Sequence, residues 1–153
     1  MTDSIAVLSP WGDLIRASTT LTTGEVLLHD WVTSMPDPSS ADGGSGAPEI
    51  MVRATEPGAV AALVPRIAAL LGRPETVRRA TDAVATEFSE EVPTAEELAE
   101  AAEDLVLQTV EAWPDGDVVL HLEDSCEEHF APGYWPAVRF DSADAIVEVT
   151  VEA

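Results

Sequence analysis

Apolar and polar positions change period along this chain, and the changes predict its elements. Ile5 to Leu8, Leu14 to Ala17 and Glu25 to Val32 read as strands, separated by Ser9-Pro10-Trp11-Gly12-Asp13 and Thr22-Thr23-Gly24, both rich in turn formers. Glu49 to Ala54 alternates weakly and reads as another strand. Pro57 to Leu71 then turns helical and stops at Gly72-Arg73-Pro74, with Pro65 inside it expected either to kink the helix or to begin a second. Pro74 to Phe88 carries Val77, Thr81, Val84 and Phe88 at helical spacing.

The clearest helical signal spans Ala95 to Ala112. Thr94 and Glu97 have the spacing of a capping box, in which hydroxyl and carboxylate satisfy free amides at the helix start. Leu98, Ala102, Leu105, Thr109 and Trp113 fall on one stripe. After the turn signal Pro114-Asp115-Gly116-Asp117 comes a three-stranded meander. Val118, Leu120 and Leu122 alternate, as do Val138 and Phe140, and then Val147, Val149 and Val151. Its outward positions are His121, Arg139, Glu148, Thr150 and Glu152. The expected fold is α+β: an antiparallel sheet with about three helices packed on one face.

A single domain is expected over residues 1–153, a length that buries roughly 68–70% of the unfolded surface. Met35 to Pro48, with three Pro, three Gly and three Ser, reads as a flexible loop inside it. Gly43-Gly44-Ser45-Gly46 lacks the Lys and the helix start that phosphate binding uses.

Charge changes the picture more than composition does. The net charge is −22, and from Ala80 to Val138 there are sixteen Asp or Glu and no Lys or Arg. A one-signed block of this kind attracts cations and basic partners, and repels nucleic acid and anionic membrane. Glu96/Glu100 and Glu100/Asp104 are like-charge i,i+4 pairs, each costing a few tenths of a kcal/mol. A helix that tolerates them is expected to use that face for something besides its own stability.

The lone Cys126 permits no intrachain disulfide, and together with the absence of a basic leader or long apolar run it leads to the expectation of a cytoplasmic protein. His121, Cys126 and His129 fall within nine residues and are the candidate metal ligands. They fall short of four closed ligands and include no Cys-x-x-Cys pair, so the expected cofactor is none. A Cys126–His129 nucleophile is disfavoured, because the surrounding carboxylates oppose a thiolate. No nucleophile elbow and no His-Glu-x-x-His is present. Phe130, Tyr134 and Trp135 cluster beside Glu127 and Glu128, a combination suited to Arg- or Lys-rich partners; the plainer reading folds these rings back onto the sheet.

The capped acidic helix ending in Ala112-Trp113, a polar turn, a strand, His129-Phe130, Tyr134-Trp135-Pro136-Ala137-Val138-Arg139-Phe140 and a final strand resemble small uncharacterised bacterial α+β proteins. Some of those are similar to immunity proteins of polymorphic toxin systems. The resemblance covers residues 94–153, carries over no functional residues, and implies binding in preference to catalysis.

The expected function is therefore a non-enzymatic acidic protein that neutralises a basic protein partner. Glu96, Glu100, Glu103, Asp104, Glu127, Glu128, Tyr134 and Trp135 are its candidate contacts. No nucleic acid and no membrane are expected as partners, and a homodimer is allowed. The alternatives are a metal-binding or enzymatic use of His121, Cys126 and His129, and a DNA-mimic regulator.

Overall fold

A computed structural model describes residues 6–11, 13–33, 48–126 and 128–153. The expected loop at 35–48 lies almost wholly outside the described residues, as do Ile5 and Glu127. The strands are β1 (Leu14–Thr20), β2 (Val26–Thr33) and β3 (Glu49–Val52), followed by the helices α1 (Pro57–Leu71), α2 (Thr76–Glu87) and α3 (Ala95–Asp104). Strands β4 (Leu105–Ala112), β5 (Val118–Asp124), β6 (Trp135–Phe140) and β7 (Ile146–Glu152) complete the chain. Among the described residues the architecture is α+β, with three helices and one seven-stranded sheet in sequential order β1 to β7.

All neighbouring strands are antiparallel except β3 and β4. A parallel pair cannot be closed by a tight turn and needs a long crossover. That is why all three helices fall between β3 and β4. No described helix is long and apolar enough to cross a membrane.

The helix expected over Ala95–Ala112 is corrected by the structure. Its first half holds: Thr94 Oγ1 accepts from the Glu97 amide at 3.1 Å, and Glu97 Oε1 accepts from the Thr94 amide at 3.2 Å. At Leu105 the backbone turns extended and becomes β4, which pairs with β3 on one side and β5 on the other. The β-branched Val106, Thr109 and Val110 suit a strand, and the two neighbours satisfy amides along both edges. A register shift between Leu107 and Thr109 interrupts the two-residue alternation that would have marked this strand in the sequence. It places Leu107 and Val110 on the same core side three residues apart, which is also the spacing of a helix face.

Pro65 neither ends α1 nor divides it, since one helix runs from Pro57 to Leu71. Its Val60, Leu63, Ile67 and Leu70 are buried. They join Leu14, Ile50, Val110, Leu120, Val138 and Phe140 in one apolar cluster. The meander is as expected but gains β4, and Gly116, at φ +94°, makes the β4–β5 turn that other residues resist. Val7 pairs with Leu14 as an isolated bridge, so among the described residues the first expected strand is reduced to that contact. In β7 the expected inward row is incomplete. Val149 packs on the core, but Val147 and Val151 are 55% and 41% exposed, because β7 is an edge strand.

Arg66 ties α1 to two distant turns. Its guanidinium donates to Gly116 O at 3.0 Å, Asp141 O at 2.6 Å and Asp144 Oδ1 at 2.5 Å.

Candidate functional site

Helix α3 exposes Glu96, Glu97, Glu100 and Glu103, and none of them forms an ion pair among the described residues. Beside it runs a groove of ≈ 190 Å³ lined by Val84, Phe88, Leu105 and Phe130, with Glu97, Glu100 and His129 also on its walls. Phe88 and Phe130 meet edge to face, ring centres 5.5 Å apart. An enclosed cavity of about 150 Å³ takes one benzene-sized group, so this groove has room for a single long side chain.

The loop after β5 is pinned to the end of α3. Ser125 donates twice to Asp104 O, from its amide at 2.9 Å and its hydroxyl at 2.7 Å. Asp124 is buried, and its carboxylate accepts from the amides of His129 (2.8 Å) and Phe130 (2.9 Å) and from Cys126 Sγ (3.3 Å). Burial raises the Asp124 pKa, but these donors outweigh it and hold the carboxyl below its usual range. His129 Nε2 donates to Asp104 Oδ2 at 2.9 Å, and that bond is the main reason the imidazole pKa is raised. At Cys126 the Glu128 amide favours the thiolate, yet burial with Asp124 and Asp104 prevails and pushes the thiol up. Such a thiol is a poor nucleophile at neutral pH.

Asp104, Cys126 and His129 bring one ligand atom each to within 4.8 Å of one another. His121 does not join them. It lies on a polar face of the sheet, where Trp135 Nε1 donates to its Nδ1 at 3.0 Å and its Nε2 meets Glu111 Oε1 at 3.2 Å. The expected trio is thus divided, with Asp104 taking the place given to His121.

The same face holds a network that the sequence reading missed. Glu111 is only 7% exposed and bonds both Arg53 and His121. The His121 bond is the largest influence on its pKa; burial opposes it, Arg53 reinforces it, and the net shift is downward. Arg53 and Arg139 both lie over the Trp113 ring, at 4.6 and 5.4 Å from its centre, and Arg139 also donates to Asp117 Oδ2 at 2.7 Å. Reading β4 as helix hid this face, since it sent Glu111 and Trp113 in helical directions. The alternation in β5, β6 and β7 had already marked His121, Arg139, Glu148, Thr150 and Glu152, which do line one shallow groove.

The aromatic cluster divides as well. Phe130 folds onto Phe88 and the core, Trp135 lies on the polar face, and Tyr134 remains 51% exposed. Glu128 is exposed. Comparison with models of protein families, with curated proteins and with solved structures finds no match for this chain.

Proposed function

We propose that the chain is a non-enzymatic acidic binding protein that neutralises a basic protein partner, in the manner of an immunity protein. The carrying observation is the run of exposed carboxylates without ion-pair partners on α3 alongside a groove, part apolar and part acidic, sized for one side chain. An Arg or Lys stem fits against Phe88 and Phe130 while its head reaches Glu100, combining apolar burial with charge pairing and cation–π attraction. Glu96, Glu103, Asp104, Glu127 and Glu128 supply the surrounding field, with Tyr134 as a candidate outer contact, while Trp135, bonded to His121 on the polar face, is set apart from the groove. In this reading the three helices cover the sheet face that carries Val110, Leu120 and Val138, and leave the Glu111–His121 face open. Its setting is the cytoplasm, where the free Cys126 stays reduced.

Complementary charge acts chiefly on the association rate. Low-salt affinity capture from the host lysate supplies the partner, and stopped-flow mixing then compares the wild type with a Glu100→Lys/Glu103→Lys variant. Association is expected to slow by at least tenfold and to lose much of its salt dependence. Unchanged kinetics in a folded variant overturn the reading, and a captured partner that normally binds DNA favours the DNA-mimic alternative.

A further inference from the structure

We infer that Asp104, Cys126 and His129 bind a divalent cation of the zinc class. The three donors are a carboxylate oxygen, a sulfur and an imidazole nitrogen, and their ligand atoms lie within 4.8 Å of one another. Tetrahedral bonds of about 2.0–2.3 Å need ligand atoms about 3.5 Å apart, so closure requires only small side-chain rotations. One thiolate and one imidazole select zinc-like ions over calcium and magnesium, which prefer oxygen throughout.

The support for the site is already built. Asp124 holds the amides of His129 and Phe130, and Ser125 clamps the loop to the Asp104 carbonyl. The ligands on the loop are therefore fixed relative to the ligand on α3, which is the role of outer partners at metal centres. On binding, His129 presents the Nε2 lone pair with one proton kept on Nδ1, and any second imidazole proton and the Cys126 Sγ proton leave to solvent. The resulting Asp⁻, Cys⁻ and neutral His balance the two positive charges, and solvent completes the coordination. The inference goes beyond the partner-binding reading, and its test uses the protein alone.

Cobalt(II) titrated into the reduced 153-residue chain at neutral pH provides the test. One equivalent is expected to produce a near-ultraviolet thiolate-to-cobalt band that zinc(II) abolishes. Loose association with the acidic surface yields no such band. Cys126→Ser should remove it. His129→Ala and Asp104→Asn should each weaken binding by more than about tenfold, the lower end of what even a supporting group contributes. His121→Gln should leave both band and affinity unchanged. The inference is overturned by the absence of a band in the wild type, or by a band indifferent to His129→Ala and Asp104→Asn.

Discussion

The indole N–H of Trp135 donates to His121 Nδ1 at 3.0 Å, and this bond sets the state of the imidazole. An indole nitrogen only donates, so Nδ1 carries the lone pair and Nε2 carries the proton. That proton points at Glu111 Oε1, 3.2 Å away. With both nitrogens committed, His121 is a connector between β4 and β6, and neither nitrogen is placed to act as a general base.

Nitrogen-15 NMR of His121 is therefore expected to show the Nε2–H tautomer in the wild type and a mixture in Trp135→Phe. The substitution should also lower stability by about 0.5–1.5 kcal/mol, the net worth of one hydrogen bond. A Nδ1–H tautomer in the wild type would contradict the network.

Arg66 should be among the more sensitive charged residues described. Its side chain is 17% exposed and that of Asp144 13%, and it serves two turn carbonyls besides. Arg66→Ala leaves two turn carbonyls without their donor, while Asp144 keeps Arg73 at 3.2 Å, so the expected cost in urea unfolding is about 2–3 kcal/mol. Arg66→Lys should recover less than half of that, since an ammonium cannot reproduce the planar fork.

Stability should fall on the acid side partly because of Glu111. His121 and Arg53 hold its folded-state pKa below the unfolded value, despite burial. Its contribution is complete above the unfolded pKa and is lost as pH falls through the depressed folded value. Glu111→Gln should give a shallower acid limb in a plot of unfolding free energy against pH. An acid limb of unchanged slope would show that other carboxylates dominate.

Thr94→Ala removes the hydroxyl that accepts from the Glu97 amide and is expected to cost about 1 kcal/mol. Glu97→Gln should cost less, because an amide oxygen can still accept from the Thr94 amide. Equilibrium denaturation of the two variants distinguishes the halves of the cap.

Short-range chemistry was readable in the residues. The Thr94–Glu97 cap, the stop at Gly72, the Gly116 turn and the alternation of β5 and β6 each depend on neighbours within a few positions. The acidic character of α3 was equally legible, because net charge needs no fold to be counted. Strand β4 was not. Leu105 to Ala112 suits either period once a bulge is allowed, and only pairing with β3, more than fifty residues earlier, and with β5 decides between them. The sites followed that decision. Glu111 meets Arg53 and His121 because β3, β4 and β5 lie side by side, and Asp104 meets Cys126 and His129 because the helix ends where the strand begins. Local hydrogen bonds and charge are properties of the chain. Which distant side chains share a face depends on the sheet register, and register is set by burying one continuous core.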